Sequence, residues 1–239
     1  MSFTFYGDLL GISSNYNLDA NLAYSKLDAF YNIAFSELKN FCQGYPDSKV
    51  FMFSDSILFY GENSVAAIKQ LQNLYLALLS KNLLLRGAIV KDKLDFEPRF
   101  ELENFQKRLP INDTLAKAVG LESLYKGARF IIETALAKEL LSDVPNWMTQ
   151  EGFISSPNSA VINSEFLKRI TPTPDNRNYE YLYFWSSSHP DCQFDHVKKL
   201  KEFYEISRMS DYRISIHYKE TIELMKRSDY RKKFMENNG

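Results

Sequence analysis

The chain has 239 residues, 29 basic and 30 acidic side chains and a formal net charge of −1. A hydrophobic fraction of 45% and a charged fraction of 25% exclude a disordered or low-complexity chain, and the length suits one large domain. The balanced charge argues against stable nucleic-acid binding, which usually needs a basic surplus. Two cysteines without metal-ligand spacing predict a reduced, cytoplasmic protein. Neither a targeting nor a membrane-spanning segment is expected.

The first 91 residues alternate between strand and helix patterns. Apolar residues recur every three or four positions in the helices and cluster in short runs in the strands. The predicted elements are a strand at Phe3–Tyr6, a helix at Leu22–Phe41, a hairpin at Lys49–Tyr60, a helix at Ser64–Ser80 and a strand at Leu83–Lys91. This order predicts an α+β fold with a ferredoxin-like βαββαβ core, a mainly antiparallel sheet and helices on one face.

The remainder of the chain is predicted to extend this core. We expect a hairpin or loop over 92–110, a helix over 115–124, a strand over 128–132 and a short helix over 134–141. Residues 145–178 are rich in Pro, Asn and Ser, which favours a loop-rich connection. A strand over 179–185 and helices around 194–207 and 214–226 follow. We therefore predict a catalytic core at 1–144 and an extension at 145–239 that packs on it in a single domain.

Two aspartates stand out by their positions in these elements. Asp8 follows the first strand, and Asp55 lies in the turn between the second and third strands. In a ferredoxin-like sheet the end of the first strand lies beside that turn, so the two carboxylates could hold divalent cations. Taken singly, each aspartate is more typical of a helix cap or a turn. We prefer the metal site because both residues stand in the appropriate elements together.

These segments resemble the motifs of class III nucleotide cyclases. FYGDLLGISS, VFMFSDSILFYG and LLLRGAIV are similar to the three strand motifs of that family, and NDTLAKAVGLES and KGARFII to its later helix and strand. The resemblance spans roughly residues 3 to 142 and puts Asp8 and Asp55 on the metal positions, with the backbone carbonyl of Leu9 as a further ligand. It implies two Mg²⁺ or Mn²⁺ ions per site. The C-terminal segments are similar to those of the small stand-alone cyclases of bacterial Pycsar antiphage defence, which make cyclic CMP or cyclic UMP.

The departures from the family pattern bear on the substrate. Phe51 stands where purine cyclases carry a base-reading Lys, and Leu109 falls near their base-reading Asp. Because buried polar groups discriminate strongly between bases, their replacement favours a pyrimidine nucleotide. The sequence leaves CTP and UTP open.

The transition-state residues of the family are also replaced. Ala116 and Gly120 stand in the places of its Asn and Arg. A basic residue could supply the missing charge on the developing phosphate. The candidates are Arg86, Arg99, Lys117 and Arg129, with Arg99 preferred as the catalytic residue and Arg86 as a substrate-binding or sheet-supporting one.

The resemblance thus implies an enzyme that converts UTP or CTP to the 3′,5′-cyclic monophosphate and pyrophosphate. It also implies a homodimer with its sites at the interface, and a separate effector protein that binds the cyclic nucleotide. Two alternatives stay open: a catalytically inactive cyclase-fold nucleotide sensor or regulatory protein, and a palm-type nucleotidyltransferase. The second shares the metal pair but usually has a Gly-Gly-Asp-Asp or Gly-Gly-Asp-Glu-Phe hairpin, which is absent from Phe53-Ser54-Asp55-Ser56.

Overall fold

A computed structural model describes residues 1–97, 109–124, 126–136, 139, 179–182 and 190–226. The strands of its main sheet are β1 Phe3–Leu9, β2 Lys49–Phe53, β3 Ser56–Gly61, β4 Leu85–Lys91, β7 Phe130–Glu133 and β8 Tyr179–Leu182. Their order in the sheet is β2-β3-β1-β4-β7-β8. Every neighbouring pair is antiparallel except β4 and β7. Strands β5 Phe96–Glu97 and β6 Leu109–Pro110 form a separate antiparallel pair.

The helices occupy both faces of the sheet. They are α1 Ile12–Leu18, α2 Ala20–Gly44, α3 Ser64–Ser80, α4 Thr114–Ser123, α5 Pro190–Ser210 and α6 Tyr212–Lys226. The two helices of the ferredoxin-like core, α2 and α3, bury their apolar stripes on one face, as the sequence predicts. Helix α4 lies on the opposite face, where Leu121 and Leu124 pack on Ala88 of β4 and Ile131 of β7.

Strand β1 lies at the centre of the sheet because its alternate residues suit two different environments. Phe3, Phe5 and Leu9 are buried beneath α2 and α3 with at most 1% exposure. Tyr6 and Asp8 point to the other face, since successive side chains of a strand alternate. Strand β4 is the other central strand, and its near-continuous apolar run is buried as predicted.

Two glycines on β1 and β4 leave room for the large side chain of Phe5. Gly7 and Gly87 are paired across the two strands. A Cβ atom added at Gly87 would lie 2.5 Å from the ring of Phe5, and one at Gly7 would lie 2.8 Å from it. The absence of side chains at both positions leaves room for the buried ring of Phe5. The Gly7–Gly87 pair is adjacent in the two strands to the pair formed by Asp8 and Arg86.

The C-terminal helices pack on the core. Leu200 of α5 and Ile222 of α6 belong to the main hydrophobic cluster. Ser14 of α1 donates a hydrogen bond to Asp211, 2.8 Å away, at the junction of α5 and α6. Among the described residues, no helix has the length and apolar character needed to cross a bilayer.

Most predicted elements occur, although their bounds differ by a few residues. The structure adds α1, which the sequence analysis did not predict. The predicted helix over 134–141 is helical at 134–136 and 139 in its described part. The proposed loop-rich connection over 145–178 lies outside the described residues.

Candidate functional site

Asp8 and Asp55 lie at the same end of neighbouring strands. Asp8 is the penultimate residue of β1 and is paired with Ser56 on β3 and with Arg86 on β4. Asp55 lies in the two-residue turn between β2 and β3, where Ser54 has a left-handed φ of 53°. The backbone N–H of Leu9 donates a 2.8 Å hydrogen bond to the carbonyl of Asp55. This bond ties the end of β1 to the hairpin turn and so fixes the two aspartates next to each other.

The carboxylate of Asp8 is held from both neighbouring strands. The hydroxyl of Ser56 donates to its Oδ1 at 3.2 Å, and Nη2 of Arg86 lies 3.7 Å from its Oδ2. The hydroxyl of Tyr6 lies 3.1 Å from the hydroxyl of Ser56 and extends this network along the same face of the sheet. The side chain of Asp8 retains 25% exposure. It is therefore oriented by its partners while remaining accessible to a ligand.

The electrostatics of this pair favour a bound cation. Burial raises the pKa of Asp8, and the nearby Asp55 carboxylate raises it further. Arg86 and Ser56 act in the opposite direction without cancelling these effects. A positive ion between the two carboxylates would offset the smaller part of this rise in pKa, the part that comes from Asp55.

Arg86 is in turn held by a buried carboxylate on α4. Its Nε forms an ion pair with Glu122, whose side chain is only 4% exposed. Burial raises the pKa of Glu122 to about 7, although Arg86 lowers it. The guanidinium group thus lies between the buried Glu122 and the more accessible Asp8.

These residues fit a magnesium-type site more closely than an all-protein metal cage. Within the described ranges, no group of three or more His, Cys, Asp or Glu side chains is placed to share one ion. Mg²⁺ typically takes one or two carboxylates and completes its shell with water and substrate phosphates. Asp8 and Asp55 could supply those two carboxylates. The role of the Leu9 carbonyl stays a prediction.

The two predicted base-contacting residues, Phe51 and Leu109, lie on β2 and β6. Phe51 is 42% exposed on β2, on the same sheet face as Asp8, and its ring stacks on Tyr60 with centroids 6.0 Å apart. Tyr60 contacts Phe96 of β5, and the β5–β6 pair carries Leu109, which is 43% exposed. The aromatic contacts therefore run from Phe51 through Tyr60 to Phe96, on the strand that pairs with the one carrying Leu109.

The structure separates the basic candidates. Arg86 contacts Asp8. Lys117 forms an ion pair with Asp113 at 3.1 Å, and Arg129 lies 3.7 Å from Glu220 on α6. Arg99, the preferred candidate in the sequence, lies outside the described residues. Arg86 is consequently the described candidate for which a contact with the aspartate site is observed.

The family positions Ala116 and Gly120 lie one turn apart on α4. Ala116 is exposed and Gly120 is partly buried, whereas Ala118 and Glu122 of the same helix are buried. Neither residue can donate a side-chain hydrogen bond or carry a charge. This helix therefore provides no transition-state side chain at these two positions.

Sequence reasoning missed three members of the site, Tyr6, Ser56 and Glu122. Alternation along β1 places Tyr6 on the face of Asp8, and the hairpin pairing places Ser56 opposite Asp8, so both could have been found from the strand pattern. Glu122 was recognised only as part of a motif. Its contact with Arg86 joins residues far apart in the chain, and no local pattern indicates it.

Comparisons with known proteins identify the fold. No protein-family model and no curated protein matches the sequence. Adenylate cyclases from Trypanosoma brucei, studied in their monomeric state, are 13% identical over 79% of this chain and 90% of theirs, with a TM-score of 0.53. The adenylyl cyclase CyaB from P. aeruginosa is 14% identical over 80% of this chain and 95% of its own, with a TM-score of 0.45. The guanylate cyclase domain of RhGC from Catenaria anguillulae, in complex with GTP, is 13% identical over 75% and 93%, with a TM-score of 0.46.

At these identities the similarity concerns the fold. The mixed α+β architecture, with its mostly antiparallel sheet, matches the class III cyclase fold of the trypanosomal enzymes. This confirms the predicted fold class. Because one fold can carry several activities, the chemistry must be argued from the site itself.

Proposed function

We propose that the protein is a metal-dependent nucleotide cyclase that converts UTP or CTP to the 3′,5′-cyclic monophosphate and pyrophosphate. The observation that carries the proposal is the placement of Asp8 and Asp55 at one end of adjacent strands in a class III cyclase fold. The cyclic nucleotide would be a second messenger in antiphage signalling, read by a separate effector protein. We further propose a cytoplasmic homodimer with the sites at its interface.

Each described residue of the site has a role in this reaction. Asp8 and Asp55 would hold two Mg²⁺ or Mn²⁺ ions, and bound ions of this kind lower the pKa of a ribose 3′-hydroxyl and neutralise a leaving pyrophosphate. Ser56 orients Asp8 through its hydrogen bond. Arg86 supplies a guanidinium group next to the metal ligands, where it could contact the phosphates of the substrate. Arg99 stays a second candidate for that role.

The choice of a pyrimidine rests on the chemistry around Phe51 and Leu109. Both side chains are apolar and partly exposed, and neither can form the hydrogen bonds that read a purine edge. An exposed aromatic ring supported by Tyr60 offers a stacking surface to any base. A smaller base leaves more room beside that ring than a purine does.

A second function, an inactive cyclase-fold protein that senses a nucleotide, is favoured by one observation. With Ala116 and Gly120 at these positions, α4 lacks the polar side chains that would stabilise the transition state. Loss of such a group can cost about 100- to 1,000-fold in rate. Binding of a nucleotide and metal without turnover would support this reading. A palm-type nucleotidyltransferase would instead release a linear or cyclic oligonucleotide.

The proposal is tested by incubating the purified protein with each of the four nucleoside triphosphates and Mn²⁺, followed by chromatography of the products. We expect a cyclic pyrimidine nucleotide from the wild type and from Asp47→Asn, an exposed aspartate ahead of β2 that serves as the matched control. Asp55→Asn should abolish the product. Turnover of a purine nucleotide would contradict the base assignment, and equal activity of Asp55→Asn would contradict the site.

A further inference from the structure

The side chain of Arg86 lies between two carboxylates that differ in their access to solvent. Arg86 is paired with Asp8 across β4 and β1, so the two side chains share the sheet face on which α4 packs. Helix α4 supplies the second carboxylate, Glu122. The side chain of Arg86 is 17% exposed, which is more than that of Glu122 and less than that of Asp8. The guanidinium group therefore has one buried partner and one accessible partner.

The contact of Arg86 with Asp8 is the looser of the two. Nε of Arg86 forms the ion pair with Glu122, whereas Nη2 lies 3.7 Å from Oδ2 of Asp8. Charge-assisted hydrogen bonds between such groups are shorter, about 2.7–2.9 Å. The other oxygen of Asp8, Oδ1, accepts its hydrogen bond from Ser56 on β3. Oδ2 can therefore change its partner while Ser56 and Glu122 keep their own contacts.

We propose that Arg86 and a divalent cation compete for Asp8, and that Glu122 is the positioning residue that retains the guanidinium group when the cation is bound. The inference rests on the proposed function, since it takes Asp8 to be a metal ligand. A guanidinium group that stayed against Asp8 would repel a metal ion there. Because Arg86 keeps Glu122 as a partner, it can give up Asp8 without leaving the site. Its Nη2 is then available to another anion, such as a substrate phosphate.

Burial explains why the guanidinium group stays with Glu122. A buried carboxylate that loses its only close counter-ion is strongly destabilising. Burial already raises the pKa of Glu122 to about 7 with Arg86 beside it. Asp8 is reached by solvent and has the carboxylate of Asp55 nearby, so a metal ion can replace Arg86 there. The two contacts of Arg86 are therefore unequal in what their loss would cost.

Mn²⁺ binding without nucleotide, followed by electron paramagnetic resonance, tests the competition. A pH of about 8 keeps most of Glu122 ionised. Arg86→Gln should bind Mn²⁺ about fivefold or more tightly than the wild type, because the competing cation is gone. Glu122→Gln should bind it about fivefold or more weakly, because Arg86 then has Asp8 as its remaining partner. A purely structural role for the ion pair predicts weaker binding in both variants, so the opposite signs distinguish the two cases.

Two matched controls make the same chemical changes away from Asp8. Lys126→Gln removes a positive charge that acts on Glu122. Glu220→Gln neutralises a carboxylate on α6 whose partner is Arg129. Both controls should bind Mn²⁺ within about twofold of the wild type, since exposed charges contribute little.

The double variant Arg86→Gln/Glu122→Gln tests whether Glu122 acts through Arg86. It should bind Mn²⁺ as tightly as Arg86→Gln alone, because Glu122 has no guanidinium group left to retain. This variant leaves no buried charge unpaired, so it also tests the proposal if Glu122→Gln does not fold.

Three results would overturn the inference. A folded Arg86→Gln protein that binds Mn²⁺ no more tightly than the wild type would exclude the competition. A double variant that binds clearly more weakly than Arg86→Gln would show that Glu122 acts on the metal site directly, as would a Lys126→Gln protein that matches Arg86→Gln. Failure of the proposed function gives a different result, which is a wild type whose Mn²⁺ binding is absent or is unaffected by Asp8→Asn.

Discussion

Replacing Gly87 by alanine should destabilise the strand pair that carries Asp8. The added Cβ atom would lie 2.5 Å from two ring atoms of Phe5 and 2.8 Å from the carbonyl oxygen of Tyr6. The Phe5 ring is fully buried and packs on the Phe130 ring with centroids 4.9 Å apart, so it has little room to withdraw. Overpacking of this kind costs about 1–3 kcal/mol, and we take the upper value because one clash involves backbone. Alanine recovers about 1 kcal/mol of the conformational cost of glycine, which leaves a net loss of about 2 kcal/mol.

The assay is urea unfolding followed by circular dichroism. Gly44→Ala is the control, because Gly44 ends α2 and an added Cβ atom there meets no atom within 4 Å. That substitution should leave the free energy of unfolding unchanged or raise it by up to about 1 kcal/mol. A smaller ring-free side chain at position 5 should relieve the clash, so Phe5→Leu and Gly87→Ala should be less than additive. A Gly87→Ala protein within about 0.5 kcal/mol of wild type, the usual range of a harmless surface change, would refute the packing argument.

Two further predictions concern contacts of the C-terminal region, one made by α6 and one made at the junction of α5 and α6. Burial lowers the pKa of His217 to about 4, helped by Arg86, Lys126 and Arg129, and its Nδ1 accepts a 3.1 Å hydrogen bond from the Gly127 N–H. Between the ordinary pKa of histidine and about 4, His217 is therefore protonated in the unfolded chain but neutral in the folded one. The free energy of unfolding should fall as the pH drops from 7 towards 4, by about 1–2 kcal/mol after allowance for the partial exposure of His217. His217→Gln should flatten that pH profile in urea titrations, and an unchanged profile would assign the loss to other groups. Ser14→Ala removes the hydrogen bond to Asp211 and should cost about 1 kcal/mol, measured by the same unfolding assay, whereas no loss would mean that this contact does not help to dock the C-terminal helices.

Local patterns were enough to predict the strands and helices of the core. The alternation in β1 and the three- and four-residue steps of α2 and α3 are strong, and Asp19 caps α2 by accepting a hydrogen bond from the Asn21 N–H at 2.8 Å. Helix α1 was missed because ISSNYNL is short and polar and its N-cap, Gly11, forms no side-chain cap.

Only the part of the candidate site that follows from the strand order, the proximity of Asp8 and Asp55, could be predicted from the sequence. The ferredoxin-like order alone brings Asp8 to the turn that contains Asp55, because it makes β1 and β3 neighbours. The partners of the basic residues are set by tertiary packing. Arg86 meets Glu122 of α4, and Arg129 meets Glu220 of α6, across sequence separations that carry no periodic signal.

Metal binding at the aspartate pair is the most direct test of the account, because every proposed step depends on it. Electron paramagnetic resonance of free Mn²⁺ measures the bound fraction during titration, with and without a non-hydrolysable UTP analogue. The account predicts saturable binding to the wild type and to Asp47→Asn, strengthened by the nucleotide, and its loss in Asp8→Asn and Asp55→Asn. Equal binding to all four proteins would show that the two aspartates do not form the metal site and would contradict the central claim.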